Sequence, residues 1–339
     1  MRVFQIENDW GFDNLRLSTR PEPTPGPGQV LVRMKASSVN FRDLVVPERG
    51  YGSFTGQLPL IPLSDGVGEV VQVGADVTRV AVGDRVCPLF FQEWISGEPD
   101  LHRLTRSLGG PIDGTMAELM CLSEQGVSKV PDYLSDEQAA SLPCAALTAW
   151  TALAGCSTTR PGDKVLVQGS GGVALFALRF AKLMGAHVTV ISSSDAKIER
   201  LRQMGADATI NYRQIPDWYK PAREMTGGQG FDHIIELGGE TTLPQSLRCI
   251  RPGGVLSMIG VLSGSKLSAS LGQVVTRQVR LQGVTVGHRD GFEAMCRMLE
   301  QHRVETVIDR VFAFAELKEA MNYLKSGAQF GKVCVSHVD

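Results

Sequence analysis

No two cysteines in this chain stand at metal-site or redox spacing. The seven, Cys87, Cys121, Cys144, Cys156, Cys249, Cys296 and Cys334, are odd in number and scattered. That pattern argues against a disulfide framework, a zinc ribbon or a thioredoxin-type pair. An excess of one charge is also missing. Lys+Arg 34 against Asp+Glu 36 leaves a net charge of −2, with no long basic run, so neither nucleic acid nor an anionic membrane is an expected partner. The most apolar stretch, residues 173–184, is interrupted by Arg179 and Lys182, and no membrane span is expected. Residues 1–10 carry Arg2, Glu7 and Asp9 around no apolar core. The expectation is therefore a soluble, untargeted, cytoplasmic protein with a small-molecule partner. Internal repeats and low-complexity tracts are absent as well.

What the chain does have is size and a mixed composition. Its 339 residues are 43% apolar and 21% charged, which suits about two domains of roughly 150 residues and excludes general disorder. Residues 1–128 read as β-rich: Val30 to Met34, Gly68 to Val73 and Arg85 to Cys87 run between turn signals such as Pro25-Gly26-Pro27-Gly28. A short helix fits residues 41–46. Near Lys129 the texture changes, and Ser135-Asp136-Glu137-Gln138 offers a helix start leading into an apolar helical stretch to Leu153. Strands at residues 165–167, 188–191, 234–235 and 255–259 then alternate with helices at 173–184 and 195–204. That alternation predicts an α/β domain, a doubly wound parallel sheet, over residues 129–286. Residues 287–339, with helices at 293–300 and 316–324 and a strand at 332–335, are expected to return to the first domain.

The sharpest motif follows the predicted strand Val165 to Gln168. Gly169-Ser170-Gly171-Gly172-Val173-Ala174 opens a helix with Gly169, Gly171 and Ala174 at G-x-G-x-x-A spacing. The first glycine allows a sharp turn, the second lets a pyrophosphate approach the backbone, and the small third residue lets helix and strand pack closely. Free amides at the helix start stabilise the phosphates. At the end of the next strand an acid would favour NAD, but Ser192-Ser193-Ser194 stands there, with Lys197 close behind and Tyr212-Arg213 after the third strand. Asp195 reads as a helix cap or first-turn residue. NADPH is the expected cofactor, with NAD left open.

Together with Leu142-Pro143-Cys144-Ala145-Ala146, Gly83-Asp84-Arg85-Val86, Val39-Asn40-Phe41-Arg42-Asp43, Gly114-Thr115-Met116-Ala117-Glu118 and Gly327-Ala328-Gln329-Phe330-Gly331-Lys332, this motif resembles the medium-chain dehydrogenase/reductase superfamily nearly end to end. The resemblance implies a GroES-like β-rich domain beside a Rossmann domain, with the active site in the cleft. Zinc alcohol dehydrogenases of that superfamily have a Cys where this chain has Asn40, and Gly-His-Glu where it has Leu63-Ser64-Asp65. Only Cys144 remains at a ligand position, and no cysteine lies between Cys87 and Cys121 for a structural zinc. The chain is thus expected to hold no zinc and to resemble the quinone oxidoreductase and enoyl reductase branch, transferring hydride to a quinone, enone or enoyl acceptor.

Catalytic candidates by resemblance are Asn40, Arg42 and Tyr51, with Asp43 orienting Arg42 or capping the short helix. Cofactor positions are Thr148, Gly169, Gly171, Gly172, Val173, Ser192, Ser193, Lys197, Tyr212, Gly260, Phe330 and Lys332. Residues 91–111 read as a substrate-side lid or a subunit contact. The resemblance further implies a homodimer joined through residues 255–261 or 281–286. Two other functions stay open: a metal-free alcohol or aldehyde dehydrogenase, and a cofactor-bound binding protein with little turnover.

Overall fold

A computed structural model describes residues 1–338. The chain forms two compact units, one made of Met1–Leu147 together with the stretch from Val286 on, the other of Thr148–Thr285. The first unit therefore runs beyond residue 128, where the sequence reading ended it. The helix Asp136–Ala140, begun by a reciprocal cap between Ser135 and Gln138, packs on strands Gln29–Val39 and Asp65–Val73. Strand and helix periodicity does not reveal which body a helix packs against, so the boundary was not readable.

Within the first unit lies a mainly antiparallel, seven-stranded sheet. Gln29–Val39 is its long central strand, pairing with Asp65–Val73 on one side and with Leu119–Ser123 and Lys332–Ser336 on the other. Alternate residues Val30, Val32 and Met34 enter one core with Val70, Val86 and Met120. Val39, Leu63, Val333 and Val335 enter another with Leu317 and Met321. The last helix, Leu317–Lys325, presents Leu317, Ala320 and Met321 inward at helical spacing.

The second unit is built on a six-stranded parallel sheet. Its spatial order is Ala208–Asn211, His187–Ser192, Lys164–Gln168, Phe231–Glu236, Ile250–Met258 and Arg280–Gly283. Counted along the chain this is third, second, first, fourth, fifth, sixth, the doubly wound dinucleotide-binding order, with its switch point between Lys164–Gln168 and Phe231–Glu236. Val165, Leu166 and Val167 are all fully buried, as an unbroken apolar run in a sheet covered on both faces should be. No helix among the described residues is long and apolar enough to cross a membrane.

Candidate active site

The glycine loop of the second unit leaves the first strand of that sheet at the switch point. Gly169 has φ of 85°, a left-handed conformation that favours glycine, and its amide donates to Ile191 O at 2.7 Å. Gly171 then caps the helix Gly172–Leu183 in an extended conformation, with no acid in the first turn. A Cβ at Gly171 would meet nothing within 4 Å. The free amides of that turn, an open backbone face and a first turn without an acid fit a dinucleotide pyrophosphate. Ser192 ends the next strand, and Tyr212 N donates to its carbonyl at 3.1 Å, so the structure brings Ser192 and Tyr212 together. Asp195 lies in the first turn of Asp195–Gln203, and its two oxygens accept from Asn211 Nδ2 and Gln214 Nε2, each at 2.7 Å. Ser193 precedes that helix and Lys197 lies within it. Gly260 follows the fifth strand, its amide donating to Glu236 O at 3.2 Å, and Thr148 is buried.

In the first unit, register does the assembling. Val333 lies opposite Val39, and Ser38 opposite Asp65, which sets Lys332 beside Asn40 with Asp65 on the neighbouring strand. Lys332 Nζ donates to Asn40 Oδ1 at 2.5 Å and to Val39 O at 3.0 Å. A lysine has only donors, so the Asn40 amide orientation is fixed, and its Nδ2 is buried. Asp65 accepts from Ser64 Oγ at 2.8 Å and from Cys144 N at 3.1 Å. Burial raises the Asp65 carboxyl, with Lys332 and Asn40 opposing. Burial likewise pushes the Cys144 thiol up, which keeps its proton in place.

Lys332, expected from the sequence as a cofactor contact, has its ammonium buried inside this cluster. Phe330 is buried as well. Arg42, a catalytic candidate from the sequence, is tied down locally as well. Its guanidinium stacks over Phe90 at 4.7 Å and donates to the carbonyls of Leu108 and Gly110 at 2.8 and 3.0 Å, so it staples a loop rather than facing solvent. Asp43 caps the helix Phe41–Val45, accepting from Asn40 N at 2.7 Å, and burial lifts its pKa to about 6. Of the three catalytic candidates Tyr51 alone is exposed, at 45%. Desolvation raises its phenol pKa, with Arg42 opposing.

These residues do not fit a tetrahedral zinc. Asn40 Oδ1 is taken by an ammonium, Ser64 donates to Asp65, and the carboxyl and thiol that remain lie in the field of Lys332. Three protein ligands would be needed, and no group of three His, Cys, Asp or Glu side chains able to hold a metal occurs among the described residues. Sequence reasoning missed Gln168 and Glu236, buried ends of adjacent strands in the second unit that meet at 2.7 Å. Polar residues closing apolar strand runs were the available signal.

Residues 26–132 match the alcohol dehydrogenase GroES-like domain family and residues 172–301 the zinc-binding dehydrogenase family. A zinc-type alcohol dehydrogenase-like protein of Schizosaccharomyces pombe is 42% identical over 330 residues, covering 95% of each chain. A Sinorhizobium meliloti crystal structure assigned as an alcohol dehydrogenase superposes with a TM-score of 0.93 at 40% identity, covering 99% of this chain and 98% of that one. A crystallised 2-haloacrylate reductase superposes at 0.81, 25% identical over the full length of both. With the GroES-like sheet, the doubly wound sheet and its glycine loop, these relationships establish that the chain belongs to the medium-chain dehydrogenase/reductase superfamily and is an NAD(P)-dependent oxidoreductase.

Proposed function

We propose that the enzyme is a zinc-independent, NADPH-preferring reductase of a quinone, enone or enoyl acceptor. The observation that carries this reading is the Lys332–Asn40–Asp65 cluster, in which the ammonium takes Asn40 Oδ1 and places its charge beside Asp65, whose oxygens accept from Ser64 and Cys144. Without a Lewis acid to stabilise an alkoxide, a polarised double bond or a quinone is the easier hydride partner. The similarity to a 2-haloacrylate reductase supports an activated alkene.

The dinucleotide supplies the hydride when bound. Gly169, Gly171, Gly172 and Val173 would hold its phosphates, and Ser192, Ser193, Lys197 and Tyr212 would donate to a 2′-phosphate. Asp195, already engaged by Asn211 and Gln214, is drawn away from acting as a ribose acceptor. The Tyr51 phenol keeps its proton at neutral pH and is exposed, so it is the proposed acid for the acceptor.

The test combines elemental analysis, activity in chelator, and NADPH consumption on a panel of quinones, enones, enoyl thioesters, ketones and aldehydes. Substoichiometric zinc, chelator-resistant activity and turnover of the first three classes are expected. Tight one-to-one zinc with activity lost on its removal would overturn the reading. Stoichiometric cofactor binding without turnover on any acceptor would favour a binding protein.

A further inference from the structure

We infer that Glu236 is a positioning residue for the cofactor, holding the glycine loop and the neighbouring loop 237–242 in one fixed arrangement; this rests on the dinucleotide reading of residues 169–173. Strands Lys164–Gln168 and Phe231–Glu236 are parallel neighbours, Ile235 opposite Val167. Their last residues, Gln168 and Glu236, therefore lie together at the carboxyl end of the sheet, where open α/β sheets bind ligands. Both are at least nine-tenths buried.

One Glu236 oxygen accepts from Gly238 N and Gly239 N, each at 3.1 Å, and from Thr242 Oγ1. The other accepts from Gln168 Nε2 at 2.7 Å and from Ser246 Oγ. Gln168 Oε1 in turn accepts from Leu237 N and Gly238 N at 3.1 and 3.0 Å. Gln168 immediately precedes Gly169, so the same hydrogen bonds bind the start of the glycine loop to the adjoining loop. The fit is close: Gly239 has φ of 94°, and a Cβ at Gly238 would collide with the Thr242 side chain. All five donors to the carboxylate are neutral, and each needs an acceptor because a buried unpaired donor is costly.

An amide at position 236 cannot replace the carboxylate. Its NH2 must face either the Gly238 and Gly239 amides or the NH2 of Gln168, a donor against a donor. Glu236→Gln should therefore loosen the cofactor floor without removing any group that touches the dinucleotide. We expect NADPH Kd, read by fluorescence titration, to rise about tenfold, while kcat at saturating cofactor changes less than about threefold. The exchange Gln168→Glu with Glu236→Gln restores the pattern, because a carboxylate moved to position 168 would accept from Leu237 N, Gly238 N, Ser246 Oγ and the amide NH2 now at position 236. The double variant should return Kd to within about threefold of the parent protein.

A Glu236→Gln variant with unchanged Kd, or a folded double variant as weak as the single, would overturn the inference. If the Glu236 variants do not fold, Thr242→Val, which removes one donor, carries the test: Kd rising about threefold is expected, and no change overturns. Failure of the parent protein to bind either dinucleotide would overturn the underlying reading, whereas normal binding by the parent and by Glu236→Gln alike sinks the positioning role alone.

Discussion

A phenol and an ammonium are the two polar groups of the first unit on which the proposed reading turns. Tyr51 is exposed and its phenol is held protonated, so Tyr51→Phe keeps the ring and removes the proton. For an enone acceptor kcat should fall about 100-fold with NADPH affinity unchanged, and an unaltered rate would remove Tyr51 from the reaction. On the cofactor side, Lys197→Ala should weaken NADPH by about tenfold and leave NADH nearly unchanged. Ser193→Asp should turn preference toward NADH by repelling the 2′-phosphate. Dissociation constants at one ionic strength check both, and a Lys197 variant that loses both cofactors alike would count against the preference. The sequence revealed Asp43 as a cap and the turn at Gly169 because both depend on neighbours a few residues away. The partners of Lys332 and Arg42 were not legible, because Asn40 and Leu108 lie 292 and 66 positions distant, and local pattern carries no information at that range.

Elements were easier to read than contacts, since periodicity reports burial. The fully buried run Val165-Leu166-Val167 gave the central parallel strand, and the helix expected at 293–300 is present as the longer Arg289–His302, whose start depends on capping by His288. Loops hid their connections. Arg42 links the helix Phe41–Val45 to the segment around Leu108, so Arg42→Ala should cost about 2–4 kcal/mol by losing two charge-assisted hydrogen bonds and a ring stack; urea unfolding measures it, and a change under about 0.5 kcal/mol would mean that the loop holds itself. At the sheet's edge, Arg280–Gly283 pairs with Ile250–Met258 on one side, and Leu271 and Val275 just before it are largely exposed. We propose that a second copy of the chain covers this edge. Light scattering should give about twice the 36.7 kDa chain mass, and a monomer under dilute, active conditions argues otherwise.

Over the whole molecule, buried titratable groups set opposing responses to acid. His233, bonded to Ser257 at 2.8 Å, is lowered by burial to about 4. The unfolded chain takes up a proton below about pH 6.5 that the folded one refuses, so stability is complete above that pH and declines as pH falls toward 4. Asp43 acts in the other direction: raised by burial to about 6, it stabilises below the unfolded carboxyl range and loses that contribution as pH rises through 6. Between pH 6.5 and 5 the His233 contribution amounts to about 1.5 kcal/mol in its unit. Urea unfolding at those two pH values should show a smaller loss for His233→Gln and a steeper one for Asp43→Asn; identical slopes in all three proteins would refute the assignment. The division of the chain also bears on its synthesis. Residues 148–285 emerge from the ribosome as one continuous stretch and can complete their parallel sheet while the polypeptide is still growing. The earlier-made unit has to wait, because Gln29–Val39 gains its partner Lys332–Ser336 only after the second unit has been made. Until then one edge of the earlier-made sheet stands open, so the unit begun first is completed after the one begun second, and its unpaired strand is exposed to mispairing in the interval.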